Sequence, residues 1–280
     1  MPVLPKYMMS YEIKNTKEFP KDLLVLKEQL ARKALQLKPN SSFANTAMAW
    51  AIVHRDEPDF DSSFYFIKKA YSLNPNDPLI NQNLAYALSM DLGLHSAAIP
   101  FSLKAIKGDP LDPNNYSSLG LQYLNLGKNA EAKEAFQKCN ELTNDRFNGE
   151  WRLLTGLIYL GEYEKAGKRL NGIDTGMYRL LRAFLNASKG EMNKVSPEFR
   201  NNFDVLLITN RNKILKDVIT RIEVEIDKGD NSRSRNYSFL STSFYFDAYR
   251  NDPDFKRVVE KAKKNQEAKM QKYGNIEMPE

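Results

Sequence analysis

The sequence is poor in the residues from which most active sites are built. Its 280 residues include one cysteine, Cys139, and two histidines, His54 and His95. A lone cysteine excludes an internal disulfide and a cysteine-based metal site, and neither histidine has a second ligand at metal-binding spacing. No nucleophile elbow, HExxH motif or phosphate-binding glycine loop is present. The sequence therefore predicts a protein that is not an enzyme and has no cofactor or metal.

Long hydrophobic runs are also missing. No apolar stretch approaches the roughly 20 residues of a membrane-spanning helix, so we expect no membrane insertion. The N-terminal residues lack the charged start and apolar stretch of a signal peptide, and a single cysteine fits a reducing compartment. We therefore expect a cytoplasmic chain. The net charge of +6 is a mild surplus for this length, and it fits lysine-rich solvated faces.

What the sequence does contain is a repeat. When its copies are aligned, two columns of the alignment stand out. One holds a small residue, and the other holds a residue that ends a helix. The small residues are separated by 36, 35 and 34 positions, and the breakers follow in step. The two columns are Ala34, Ala70, Ala105 and Cys139, and then Pro39, Pro75, Pro110 and Asn144. Such a period is typical of stacked supersecondary units.

Residues 113–142 show what one unit is. Gly120 and Ala132 are small enough for two antiparallel helices to approach within about 8–10 Å. Larger residues at helical spacing, such as Tyr123 and Phe136, fill the seam between units. The glycine in "LGK" ends the first helix, and proline beside Asn or Asp ends the second. Each unit is therefore predicted to be a helical hairpin.

This unit resembles the tetratricopeptide repeat, a helix–turn–helix of about 34 residues. The matching residues are Tyr116, Leu119, Gly120, Tyr123, Ala132 and Phe136, whereas Asn144 replaces the final proline. The resemblance is good for 78–110 and weaker for 42–75 and 147–176. It implies an all-α superhelical solenoid that binds proteins. Cys139 stands where the family usually has alanine, which favours a buried core residue over a reactive thiol.

The resemblance divides the chain into three predicted regions. These are an N-terminal extension at 1–18, repeats at 19–190 and a helical capping region at 196–280. Within the repeats we expect a half repeat at 19–39, hairpins at 42–75, 78–110, 113–144 and 147–176, and a degenerate hairpin at 177–195. The unpaired first helix leaves two interpretations open: residues 1–18 supply a degenerate partner, or the sequence is a piece of a longer protein.

The C-terminal region predicts a long helix at 203–230, although β-branched residues keep a strand possible for part of it. Asp252 and Pro253 begin a last helix. The segment 246–264 is similar to the ending of tetratricopeptide modules in bacterial regulators, so a sensory or oligomerising role in a larger regulator stays open. Residues 256–272 hold seven Lys/Arg against two Glu. We favour a solvated capping helix over nucleic-acid binding there, because the nearby aromatic run suits a core.

In the tetratricopeptide family the first helix of each unit lines the concave side of the array. Carried over to this sequence, that geometry predicts a partner-binding groove. Its residues are Phe43, Thr46 and Trp50; Leu79, Gln82 and Tyr86; Asn114, Ser117 and Leu121; and Asn148, Trp151 and Thr155. The set includes both tryptophans and no charged residue. It suits an extended or helical peptide with apolar anchors, whose backbone the amides of Gln82, Asn114 and Asn148 would bind.

Two features of the groove bear on its partner. The family's variant that binds a peptide C-terminal carboxylate uses Lys, Arg and Asn. In this chain Asn83 matches the asparagine, but Asn114 and Ser118 stand where that variant has Lys and Arg. The C-terminal aromatic run is also able to cover the groove and turn it into core. The sequence therefore predicts a scaffold for a protein or peptide, and leaves open whether its groove is exposed.

Overall fold

All regular structure in the described residues is helical. The computed structural model describes residues 21–55, 58–143, 150–174, 176–200, 202, 205, 215–227, 237–242, 246 and 249–276. Within them the backbone forms α-helices joined by short turns, with brief 3₁₀ and π segments. The predicted all-α solenoid of tetratricopeptide-like hairpins is therefore confirmed.

The N-terminal two thirds of the chain is an array of consecutive helices. They are α1 (Lys21–Leu37), α2 (Ser42–Val53), α3 (Phe60–Leu73), α4 (Pro78–Tyr86), α5 (His95–Gly108), α6 (Pro113–Asn125), α7 (Asn129–Glu141), α8 (Glu150–Tyr159), α9 (Tyr163–Leu170) and α10 (Gly176–Ser188). A π-helical segment, Ala87–Asp91, continues α4. The pairs α2–α3, α4–α5 and α6–α7 pack as hairpins, and α8 packs against α6, α7, α9 and α10.

Side-chain caps define where the helices begin. The carboxylates of Asp59, Asp77 and Asp112 accept hydrogen bonds from backbone N–H groups in the first turns of α3, α4 and α6. These bonds satisfy donors that have no partner inside a helix. At the turns within hairpins, Gly127 and Gly161 have φ of 72° and 77°. That backbone region favours glycine, which explains the glycines of "LGK" and "LGE".

A repeated asparagine ties the first helix of each of the first three hairpins to the turn before it. The Nδ2 of Asn45 donates to the carbonyl of Pro39, and the Nδ2 of Asn81 donates to that of Pro75. In the third hairpin Asn115 bonds the carbonyl of Asp109 at 3.0 Å. Because each asparagine side chain is buried, these bonds fix the angle between successive hairpins at a position that water does not reach.

The fourth hairpin uses a different device for the same junction. Arg169 of α9 donates from Nη2 to the carbonyl of Thr143 at 2.7 Å and from Nε to Asn140 at 3.0 Å. Its Nη1 lies 3.1 Å from the buried carboxylate of Glu150 at the start of α8. The guanidinium of Arg169, which pairs with Glu150 inside the fourth hairpin, therefore joins that hairpin to the third, where the earlier junctions use an amide.

The core of the array is packed around Phe136. Its side chain is 1% exposed, and its ring faces Gly120 of α6 and Gly156 of α8. The predicted small-residue column is also buried, at Ala70, Ala105 and Cys139. Burial raises the pKa of the Cys139 thiol to about 12, so the side chain is a neutral core group at physiological pH.

The C-terminal region adds α11 (Leu215–Asp227), α12 (Tyr237–Thr242) and α13 (Pro253–Tyr273). The described part of the predicted helix at 203–230 is helical, and residues 203–204, 206–214 and 228–230 lie outside the described residues. The region predicted as a degenerate hairpin, 177–195, contains most of α10 and the short 3₁₀ helix Met192–Lys194, and a second 3₁₀ helix, Pro197–Phe199, follows it. Helix α13 begins at the Asp252 cap, as the sequence predicts.

Candidate partner-binding groove

The structure divides the described groove residues into three groups by exposure. Phe43 and Leu79, at the start of α2 and α4, are 75% and 54% exposed. Those that are partly exposed are Trp50, Gln82, Tyr86, Asn114 and Thr155. Those that are buried are Thr46, Ser117, Leu121 and Trp151. Asn148 lies outside the described residues. Most of the accessible surface of the predicted groove therefore belongs to the first two hairpins.

In the third and fourth hairpins the groove face is part of the core. Leu121 and Trp151 belong to one apolar cluster with Phe239 and Phe246 of the C-terminal region. The ring of Tyr159, at the end of α8, packs edge-on against Phe239 with centroids 5.9 Å apart. The groove residues of this half are therefore mostly buried, and the C-terminal region packs in the same cluster. Trp151, at 8% exposure, has little surface to offer a partner.

Between the first and second hairpins the face holds a small, half-open pocket. Its apolar walls are Ala49, Trp50, Val53, Ile67, Tyr86 and Ala87, and Ser63, Asn83 and Asp91 supply polar atoms. The π-helical segment contributes Ala87 and Asp91 to the far wall. The pocket is a shallow recess, much smaller than the roughly 300–1,000 Å³ of typical small-molecule sites.

Trp50 is held in a fixed orientation at this pocket. Its Nε1 donates to Oδ1 of Asn83 at 3.1 Å. Its ring stacks on His54 and is tilted against Tyr86, with centroids 5.1 and 5.5 Å apart. The hydrogen bond places Trp50 across the junction of two hairpins. A partly exposed indole with its polar edge satisfied presents an apolar surface to a ligand.

The predicted polar ligands of the groove already bond within the chain. The Nε2 of Gln82 donates to Asp112 and to Asn115, at 2.7 Å in each case. Oδ1 of Asn114 accepts from Nη2 of Arg152 at 3.3 Å, and Ser117 accepts from its Nε at 3.1 Å. These bonds cross from one hairpin to the next. The amide groups of Gln82 and Asn114 therefore join hairpins, which leaves them fewer hydrogen-bonding atoms for a peptide backbone.

Arg152 is a buried residue beside the predicted groove residues that the sequence pattern missed. It follows Trp151 in α8, its side chain is buried, and its guanidinium lies 5.5 Å from the Trp151 ring. Burial lowers its pKa, while the charge of Asp112 acts in the opposite direction. The sequence pattern did not select Arg152 because it stands one residue after Trp151, the position that helical geometry assigned to the groove. Its neighbours in space, Asn114 and Ser117, are 38 and 35 positions away along the chain.

The basic surface of α13 is largely paired with acidic groups. Arg257 and Lys261 form ion pairs with Glu223 of α11, and Lys272 pairs with Asp61 of α3 at 2.7 Å. Paired cations release fewer counterions on contact with a phosphate backbone. This arrangement weighs against the nucleic-acid alternative for residues 256–272.

The described residues contain neither a metal-binding cluster nor a membrane-spanning helix. Among them, no three His, Cys, Asp or Glu side chains come close enough together to hold a metal ion. No helix in that part of the chain combines the length and the apolar character needed to cross a bilayer.

Comparison with known proteins identifies the third hairpin. Residues 113–146 match the family model for the tetratricopeptide repeat. A 115-residue stretch is 37% identical to the small glutamine-rich tetratricopeptide repeat-containing protein 2 of Mycosarcoma maydis. The alignment covers 41% of this chain and 29% of that relative. Residues 113–146 are therefore a tetratricopeptide repeat, and the chain spans less than a third of the length of the relative that it matches.

Proposed function

We propose that the chain is a non-catalytic scaffold that binds a peptide or an extended protein segment at the face of its first two hairpins. The observation that carries the proposal is the Trp50 pocket beside two exposed apolar side chains, Phe43 and Leu79. Exposed apolar groups gathered at one place mark interaction sites on soluble proteins.

The four apolar residues of this face are regularly arranged. Phe43 and Trp50 are seven residues apart on α2, and Leu79 and Tyr86 are seven residues apart on α4. Seven residues are two turns of an α-helix, or about 10 Å along its axis, so each pair lies on one side of its helix. The two helices contact each other, which brings the pairs side by side. We call Phe43, Trp50, Leu79 and Tyr86 the apolar quartet.

The quartet fits a partner with two or more apolar anchors. One anchor packs against Trp50 and Tyr86 at the pocket, and a second packs on Phe43 and Leu79. Since neighbouring hydrogen-bonding groups such as Gln82 bond across hairpins, apolar contact supplies most of the affinity. Large aromatic and aliphatic side chains are the residues that dominate such interfaces.

The test uses the full chain and peptides selected from a random twelve-residue library displayed on phage. Affinities of the selected peptides are then measured by fluorescence anisotropy for the wild type and for Phe43→Ser and Leu79→Ser. Both side chains are largely solvated, so we expect the fold and its stability to be retained. Each substitution should weaken binding by about tenfold, which corresponds to about 1.4 kcal/mol.

Leu103→Ser is the matched control. Leu103 is 47% exposed and lies on α5, the second helix of its hairpin. It removes a similar exposed leucine from a surface outside the quartet, and we expect unchanged affinity. Peptides that bind Phe43→Ser and Leu79→Ser as tightly as the wild type, or that lose affinity only with Leu103→Ser, would show that the partner binds elsewhere.

A further inference from the structure

The half repeat and the first two hairpins carry a row of lysines on their second helices. Lys33, Lys69 and Lys104 each stand one residue before the aligned small residue, in α1, α3 and α5. Lys33 is exposed, and the other two are partly exposed. Equivalent positions of stacked repeats face the same side of an array, so the three side chains form a line that crosses the helices. We call them the lysine row.

The three helices that carry the row are neighbours. Phe66 of α3 packs on the apolar cluster that contains Ala31 of α1. The ring of Tyr71 in α3 meets that of Phe101 in α5 edge to face, with centroids 5.3 Å apart. Lys104 Nζ donates to the Tyr71 hydroxyl at 3.2 Å, which leaves two of its three donors for other groups. Because packed helices have axes about 8–10 Å apart, successive lysines of the row are about 10 Å apart.

The charge of the row is not offset by acidic groups nearby. The described carboxylates on these helices already have partners: Glu28 of α1 pairs with Arg55. Asp61 of α3 pairs with Lys272. Helix α5 has no acidic residue. No described carboxylate pairs with a lysine of the row, so its three ammonium groups lack a counter-charge within the described part of the chain.

Exposed leucines stand beside the lysines. Leu37 and Leu73 follow Lys33 and Lys69 by four residues and are 76% and 38% exposed. Leu30 precedes Lys33 by three residues and is 58% exposed. Residues three and four apart are neighbours on one side of a helix, so lysine and leucine side chains share one surface. Exposed apolar groups gathered at one place mark interaction sites.

The second helices of the third and fourth hairpins lack this combination. Lys138, the equivalent of the row in α7, pairs with Glu141. Lys133 and Lys165 both pair with Glu162. Over the whole of α7 and α9, which the structure describes completely, no large apolar side chain is exposed. The cationic and apolar surface is therefore a local feature of α1, α3 and α5 and does not follow from the repeat itself.

We propose that the lysine row and the leucines beside it bind an acidic amphipathic helix of a partner protein, which lies across α1, α3 and α5. Seven residues of helix rise about 10.5 Å, so carboxylates seven residues apart on the partner match the spacing of the row. Apolar side chains three residues after each carboxylate lie on the same side of that helix and meet Leu37 and Leu73. The surface belongs to the second helices and is separate from the groove on the first helices.

Two features favour a protein helix over other anionic partners. The lysines recur at a regular step, which a helix can match and a fluid lipid surface does not require. The leucines gain nothing from a phosphate backbone, whose contacts with proteins are polar and ionic. A helix that carries both carboxylates and apolar residues uses the whole surface.

The experiment uses the full chain and a fluorescent helical peptide of twenty-one residues, with glutamate at every seventh position and leucine three residues after each. Fluorescence anisotropy in low-salt buffer gives the affinity. We expect binding that Lys33→Glu and Lys69→Glu each weaken about fivefold, because each change turns an attraction into a repulsion. Lys168→Glu is the matched control, since Lys168 is an exposed lysine on α9, outside the row, and should leave the affinity unchanged.

A peptide of the same composition with its glutamates side by side tests the spacing, and we expect it to bind about fivefold more weakly. The proposal is wrong if the regularly spaced peptide does not bind, if the clustered peptide binds equally well, or if Lys168→Glu weakens binding as much as Lys69→Glu. It is also wrong if phosphatidylserine vesicles or a single-stranded oligonucleotide bind at the lysine row more tightly than the peptide. Phe43→Ser tests the groove alone and should leave this affinity unchanged.

Discussion

The packing around Phe136 yields a sharp prediction for Gly156. A Cβ built on Gly156 would lie 2.2 Å from Cε2 of the Phe136 ring, and one built on Gly120 would lie 2.8 Å from Cε1 on the other side. Carbon atoms in good contact are about 3.5–4.0 Å apart. The ring is 1% exposed and lies between two helices. It therefore has no free volume in which to avoid a new methyl group.

Two opposing effects set the size of the change in Gly156→Ala. Replacing glycine by alanine inside a helix favours folding by about 1 kcal/mol. Forcing a methyl group into a filled core costs about 1–3 kcal/mol, and occasionally more. The 2.2 Å approach to Phe136 puts this site at the upper end of that range. We expect a net loss of about 2 kcal/mol in the free energy of unfolding, and a smaller loss for Gly120→Ala.

Urea unfolding followed by circular dichroism measures these changes. Gly167→Ala is the control, because Gly167 is also within a helix, and its nearest neighbour to a new Cβ is Leu185 Cδ2 at 3.8 Å. It should gain up to about 1 kcal/mol. Adding Phe136→Leu to Gly156→Ala should give a smaller total loss than the sum of the single changes. If Gly156→Ala were as stable as Gly167→Ala, the ring would not be confined as described.

Three further predictions concern charge and burial. The guanidinium of Arg55 lowers the pKa of Glu28 to about 2, so this pair stabilises the fold above the usual glutamate pKa. Given partial solvation, about 1 kcal/mol of stability should be lost as the pH falls from 4.5 towards 2. Urea midpoints measure this loss, which should be absent in Glu28→Gln. Cys139, buried and with its pKa raised to about 12, should react with a thiol reagent at pH 8 only after urea unfolding. Glu150→Ala leaves the partly buried Arg169 without its carboxylate and should cost about 3 kcal/mol in urea unfolding, while Glu150→Ala with Arg169→Ala should cost less than the sum of the single changes.

The hairpins were predictable because their signals are local. The spacing of small residues, the glycine at Gly127 and the prolines that start α4 and α6 act within one unit, and the structure has helices where these signals place them. The junctions were less visible. Asn45 and Asn81 bond to breakers six residues earlier, but an asparagine in a helix has many other uses, so its role emerges only when the units are stacked.

The groove was only half predictable, for a different reason. The predicted groove geometry placed Phe43 and Trp151 on equivalent faces of their helices. Their environments differ because the C-terminal region packs against one end of the array. Phe239 lies in the same apolar cluster as Trp151 and 88 positions away from it along the chain. Periodicity in a single sequence carries no information on which end a distant segment will cover. The exposed half of the groove could therefore be assigned only from the packed structure.

One irregularity of the sequence gains a physical meaning from the fold. Seven positions separate Gly120 from Gly127 in the third unit, but eight separate the equivalent Ala85 from Gly93 in the second. The additional residue falls in the π-helical segment Ala87–Asp91, which absorbs one residue by widening the helix. That segment forms the wall of the Trp50 pocket through its first and last residues. A one-residue departure from the repeat therefore shapes the pocket that distinguishes the second hairpin from the more regular third, and it does so on the half of the groove that the C-terminal region leaves accessible.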